Sequence, residues 1–307
     1  MALAMIAAGL LSSSVQGNTV ARETVKGEAV SLLPAGRELT LVWHDEFNGD
    51  TLDASKWMYR TNFWGQRAHW FATPEDQAVE VKDGKCFLKL KKLPNGQFVS
   101  PQLQTGALLW DYPGDPNAKG FWPLVKREKA KFLHKYGYYE CRFRTQQEKG
   151  WWSAFWMQSI MQGCCLDPGL AGIEHDIMES FEPGEIIPHC FHYNGYGAEY
   201  KGFRSPRKKG NVHQLTVKVD KTAFQTVGML WEPDGYTFYI NGRQHGEKVG
   251  QGEGEAVSHV PQFILLTTEA KWFRNNRMTG KGVPELEEAA QKQDAFVVDF
   301  VRVYDLK

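Results

Sequence analysis

Along most of this chain apolar and polar residues change places at every second position. In CFLKLKK, Cys86, Leu88 and Leu90 fall on one side, and in YGYYECRFRT the same spacing sets Tyr139, Cys141 and Phe143 together. A period of two belongs to a strand with one face on a core and the other turned away from it. WEPDGYTFYINGRQ carries turn chemistry at both ends of a strand: Pro233-Asp234-Gly235 comes before it and Asn241-Gly242 after it, the second suiting a type I′ hairpin. PQFILLTTEA and AFVVDFVRVYDL read as further strands, and only VPELEEAAQK, with Pro284 fitted to a first turn, predicts a helix. Many strands separated by turns, with one late helix, predict an all-β sandwich. No repeat, low-complexity tract or Pro/Gly-rich linker divides the chain after about Leu39. One domain is therefore expected over residues 39–307, with residues 22–38 as a lead segment before it.

Composition narrows the function classes. Lysine plus arginine and aspartate plus glutamate balance at 36 each, so no bulk field selects nucleic acid or an anionic membrane. The apolar run within residues 1–21, followed by small and polar residues, has the layout of a secretory leader, although no Lys or Arg precedes Arg22. It is too short to span a bilayer, and a secreted, periplasmic or cell-surface monomer is expected. The five cysteines match no zinc spacing, and the adjacent pair Cys164 and Cys165 is a poor tetrahedral bite, which leaves buried thiols or one bridge.

The chemistry concentrates in AGIEHDIMESFEP, residues 171–183, where Glu174, Asp176 and Glu179 interrupt a run of apolar residues. On a straight strand Glu174 and Asp176 share a face, while Ile173, His175 and Ile177 point the other way and Glu179 falls on the wrong side. One extra residue, a β-bulge near Ile177 or Met178, would return Glu179 to the face of the other two. A retaining glycosidase needs its nucleophile and its acid about 5 to 5.5 Å apart, within reach of two glutamates leaning together. By spacing alone, a solvated face and a Ca²⁺ or Mg²⁺ site stay open. A helix would separate residues 174 and 179 by about 140°.

IEHDIMES resembles the bulged E-x-D-x-x-E motif of glycoside hydrolase family 16. LVWHDEFNGDTLDASKW, YGYYECRFRTQQEKGWWSAFWMQS, WEPDGYTFYINGR and FVVDFVRVYD are similar to other segments of that family, in its order. The resemblance implies a concanavalin-A-like β-jelly-roll of two antiparallel sheets with a concave substrate cleft. It implies endo-acting, retaining hydrolysis of a β-linked polysaccharide, with Glu174 as nucleophile, Asp176 as its charged helper and Glu179 as general acid and then base. Trp152 and Trp156 match residues that border the family's cleft. Trp64 and Trp70 in an early loop, and Trp272 in a late one, are candidate walls, and His192 is placed to reach the leaving-group side. His175 stands where the family has Ile or Leu and is expected to be a buried, hydrogen-bonded histidine. No cofactor is required for the chemistry; a structural Ca²⁺ would fall on Asp299 and the backbone of Gly49. The basic run KGFRSPRKKG, residues 201–210, reads as a solvated loop, with contact to an anionic substrate such as a sulfated galactan as the alternative. A carbohydrate-binding protein without turnover and a transglycosylase are the rival functions. Between β-glucans and β-galactans the residues give no ranking.

Overall fold

The computed structural model describes residues 18–63, 66–67, 70–106, 129–162, 164–195, 199–204, 216–252, 254–270 and 284–307. Two antiparallel sheets, each of eight strands, pack face to face. The first runs Lys201–Arg204, Glu185–Tyr193, Glu174–Ser180, Trp151–Ser159, Gln262–Ala270, Gln102–Gln104, Met58–Tyr59, with Val217–Lys218 beside the second of these. The second sheet is centred on Gly137–Arg144 and Ala295–Leu306. Tyr139, Cys141 and Phe143 point into the core as their spacing predicts, and meet Phe155, Met157, Ile177 and Met178 from the first sheet. This is the expected jelly-roll sandwich.

Local signals hold as well. Asn241 and Gly242 both have positive φ, 47° and 78°, as a type I′ turn requires. The helix Pro284–Gln291 starts on its proline, and its Leu286 and Ala289 pack with Trp151 and Ala270, fixing one end of the strand that carries Trp152. Cys86, Cys141 and Cys190 are buried. Among the described residues no helix is long and apolar enough to cross a membrane.

The N-terminal region departs from expectation. Thr19–Arg22 pairs with Ser31–Pro34, and this hairpin lies on the outward face of the second sheet, where Leu33 packs with Tyr138, Leu230, Tyr239 and Tyr304. Leu32 donates its amide to Glu140 Oε1 (2.6 Å) and accepts from the Tyr138 hydroxyl (2.8 Å), while Arg302 donates to the carbonyl of Ala29 (2.7 Å). Within residues 22–38, the strand Ser31–Pro34 thus packs on the sheet, where Leu33 helps to cover four side chains from water. Thr19 to Ala21 overlap the end of the expected leader, and residues 1–17 lie outside the described residues.

Candidate active site

The strand Trp151–Ser159 turns Phe155 and Met157 into the core and Ala154 and Trp156 to the opposite face. It pairs with the acid strand, Glu174–Ser180, in two registers: Ala154 faces Glu179 and Phe155 faces Met178, but Trp156 faces Asp176. Ile177 is the extra residue, so Ile177 and Met178 both enter the core, at 1% and 0% exposure. This bulge brings Glu179 to the side occupied by Glu174 and Asp176. The neighbouring strand, Glu185–Tyr193, is irregular at the same row: Met178 faces Pro188, which has no amide to donate, and the next residue, His189, adopts a left-handed φ of 64°.

The consequence is a compact set of polar atoms. Oxygens of Glu174 and Asp176 and a ring nitrogen of His192 all lie within 4.8 Å of one another, and so do oxygens of Asp176 and Glu179 and the thiol sulfur of Cys190. His192 Nε2 is 3.2 Å from Asp176 Oδ2, its Nδ1 meets the Tyr200 hydroxyl, and the Tyr200 ring stacks on it at 5.7 Å. Gln158 donates its amide to Glu174 Oε2 at 3.1 Å. Burial acts most strongly on His192, downward. The hydrogen bond to Asp176 and the charges of Asp176, Glu174 and Glu179 outweigh it, and the imidazole is pushed up to about 9. At neutral pH it is a cation beside the three acids. The donor distances alone would also suit a metal ion.

His175 points into the core, as alternation requires, and its burial is complete. The expected hydrogen bond is not made: neither ring nitrogen has a partner. The surroundings are aromatic, with Tyr236, Trp231 and Phe191 ring centroids at 4.4, 6.0 and 6.3 Å, and the nearest hydroxyl, on Tyr236, accepts from the amide of Ser258. Burial drives this imidazole down to about 3, so it stays neutral, and the substitution leaves the three acids on their own face.

Trp156 and Trp152 lie on the strand paired with the acid strand, Trp156 opposite Asp176. The Trp156 indole donates to Thr267 Oγ1 (2.8 Å), and the guanidinium of Arg60 lies 5.3 Å from its ring centre. Trp152 faces Glu269 across the sheet and tilts against Phe181 at 5.4 Å. Trp70 packs against the cluster formed by Leu90, Phe98, Trp151 and the helix, and so serves as support at that end. Trp64, Trp272 and residues 205–215 of the basic region lie outside the described residues. The Asp299 carboxylate pairs with Arg142, whose guanidinium also covers Phe224.

Sequence reasoning missed Gln158, Arg60, Thr267, Glu269 and Cys190. Continuing the period of two from Trp152 and Trp156 reaches Gln158, and stepping back two from His192 reaches Cys190. Thr267 and Glu269 alternate in the same way along PQFILLTTEA. Arg60 carries no such signal, since it follows a two-residue strand.

A family model described as β-porphyranase A–D, GH16 domain, matches residues 41–306. The glucan endo-1,3-β-glucosidase A1 of Niallia circulans is 27% identical over 68% of this chain and 29% of its own length. The keratan-sulfate endo-1,4-β-galactosidase of Sphingobacterium multivorum is 25% identical over 89% of this chain and 56% of its own length. The chain therefore spans about a third to a half of these curated relatives. A crystal structure of a non-specific endo-β-1,3(4)-glucanase from family GH16 superposes with a TM-score of 0.61 at 21% identity, covering 94% of this chain and 99% of that one, a likeness of fold.

Proposed function

Because the chain belongs to glycoside hydrolase family 16, we propose that it is a retaining endo-β-galactanase acting on a sulfated galactan of the porphyran type. The observation that carries the hydrolytic part is the bulge at Ile177, which gathers Glu174, Asp176 and Glu179 onto one face beside two tryptophans. In this reading Glu174 attacks the anomeric carbon while Glu179 protonates the departing glycosidic oxygen, giving a glycosyl ester on Glu174 and a free sugar hydroxyl. Glu179, now a carboxylate, takes a proton from water as the water oxygen attacks the anomeric carbon from the side the leaving group vacated, and the bond to Glu174 breaks to release its carboxylate. Two inversions restore the original configuration. Asp176 holds the cationic His192 beside Glu174, which favours the ionised nucleophile.

The galactan part is supported by the porphyranase description of the matching family and by a relative named as a keratan-sulfate endo-1,4-β-galactosidase. Such a polymer is met outside the cell, so export belongs to the same reading. The test is incubation with porphyran, agarose, laminarin and mixed-linkage glucan, with reducing ends counted and the first-formed anomer read by proton NMR. Porphyran should be cut fastest, with β-anomer released first and fragments no longer than the input. Cleavage of laminarin without porphyran would replace galactan by glucan, early α-anomer would remove the double displacement, and no new reducing ends on any polymer would leave a binding protein.

A further inference from the structure

Two buried glutamine carboxamides grip the acid strand, one at each end. Gln146 lies two residues beyond the second-sheet strand Gly137–Arg144 and is completely buried. Its amide nitrogen donates to the carbonyl of Ser180 (2.8 Å) and to that of Trp151 (3.2 Å), and its oxygen accepts from Ser153 Oγ (2.6 Å). Ser153 stands opposite Ser180 in the ladder between the two strands, so one side chain ties that ladder together at the end nearest Glu179. At the other end Gln262, equally buried, donates its amide to the carbonyl of Ile173, the residue before Glu174. The bulge at Ile177 lies between the two grips.

We propose that Gln146 is a positioning residue for the acid/base half of the site: by pinning the Ser180 carbonyl it preserves the bulge and holds Glu179 on the side of Glu174 and Asp176. The inference rests on the assignment of Glu179 as general acid under the proposed function. A bulge interrupts its ladder, and beyond it the acid strand has three pairs with the Trp151–Ser159 strand, at Met178, Glu179 and Ser180. Sliding those pairs by one residue, about 3.3 Å, would straighten the strand and turn Glu179 toward the core. Gln146 opposes the slide because its other two bonds are to Trp151 and Ser153, which do not belong to the acid strand. Releasing Ser180 would cost a hydrogen bond at a buried point where water cannot take its place. Reach is what the acid needs: a misplacement of about 1 Å from the leaving oxygen can cost about 100-fold in rate. Gln262 acts on the Glu174 end of the strand, so the two glutamines divide it as the two catalytic roles divide the site.

The experiment compares Gln146→Met and Gln262→Met in the full chain, each keeping the length of the side chain without its amide. Rates are measured on the polymer that wild type cuts and on an aryl glycoside whose leaving group needs no proton. With Gln146→Met, kcat/KM on the polymer should fall about 10- to 100-fold and on the aryl glycoside less than about threefold. Gln262→Met should lose by one factor on both substrates, because the nucleophile serves both. A Gln146→Met variant that loses equally on the two substrates, or matches wild type on the polymer, overturns the proposal. Where Gln146→Met does not fold, Ser153→Ala, which removes the donor to the Gln146 oxygen, should repeat the selective loss at about two- to fivefold, and rates equal to wild type on both substrates overturn it. Backbone hydrogen exchange needs no substrate: Gln146→Met should quicken it about tenfold or more at residues 178–180 and leave residues 174–176 at the wild-type rate. A chain that cuts no polysaccharide therefore fails the functional reading, whereas unchanged exchange at residues 178–180 fails the grip of Gln146.

Discussion

Two carboxylate clusters sit on opposite outer faces of the sandwich, each built around one cation, and they do different things. Under the N-terminal hairpin, Glu46 and Glu140 surround Arg302, which is fully buried and forks onto Glu46 with two 2.8 Å bonds. Arg302 also reaches the carbonyl of Ala29 and the hydroxyl of Ser31, so the cluster latches the hairpin to the sheet. On the other face Glu174, Asp176 and Glu179 surround His192. Both sets hold more negative than positive groups, and a buried surplus of charge must be relieved by a proton. In the arginine cluster the relief is static: Glu140 is pushed up to about 7 by burial and is locked by the Leu32 amide. In the histidine cluster Glu174 and Glu179 are only half buried, and the cation can itself titrate. The same surplus thus gives a fastener where it is sealed and a proton-transfer site where it borders open space.

The sharpest way to break this comparison is to remove one charge from the half-open cluster. Glu174→Gln should lower kcat on every substrate by about 10⁴-fold or more, because no covalent intermediate can form. Glu179→Gln should cost about 10³-fold on the polymer yet spare an aryl glycoside whose leaving group needs no proton. Steady-state kinetics on both substrates decide it, and equal losses for the two variants on the activated substrate would show that the roles are not divided as argued.

In the sealed cluster the corresponding change should strike stability. Arg302→Met leaves Glu46 buried without its partner, and breaking such a pair costs about 3–5 kcal/mol. Urea denaturation followed by tryptophan fluorescence should show that loss, and hydrogen exchange at Thr19–Arg22 should quicken. The initial rate on substrate at low temperature should hardly change. A variant that loses activity in proportion while keeping its denaturation midpoint would mean the two clusters are coupled.

How much of this could be read beforehand follows the range of each signal. The bulge was legible because three acids on one strand cannot share a face without an extra residue, and the constraint is contained in six consecutive positions. The type I′ turn at Asn241-Gly242 and the helix start at Pro284 were legible for the same reason. His175 was half legible: alternation sends it inward, but nothing nearby in the chain announces that Trp231 and Tyr236, more than fifty residues later, supply no hydrogen bond. The arginine cluster was illegible, because Arg302 and Glu46 are separated by 256 positions and each alone looks like an ordinary strand charge. Arg60 over Trp156 fails for that reason too.

The smallest expected effect separates the clusters by pH. The Glu140 carboxyl, with an ordinary value of 4.5, is held near 7 by burial first; the Leu32 amide, Ser31 and Arg302 pull it down and Glu46 adds to the rise. Since the folded value lies above the unfolded one, the stability tied to the protonated form is complete below about 4.5. It is lost progressively as pH rises toward 7, and the loss levels off above that. The difference corresponds to up to about 3 kcal/mol. Glu140→Gln keeps an oxygen that can accept from Leu32 and cannot ionise, so the variant should match wild type at pH 4.5 and exceed it by about 1–3 kcal/mol at pH 8. Urea denaturation at both pH values, taken as the difference between variant and wild type, removes every other titrating group from the comparison, including the raised His192. A difference of equal size at both pH values would place the effect in packing and leave Glu140 without the proton this cluster requires.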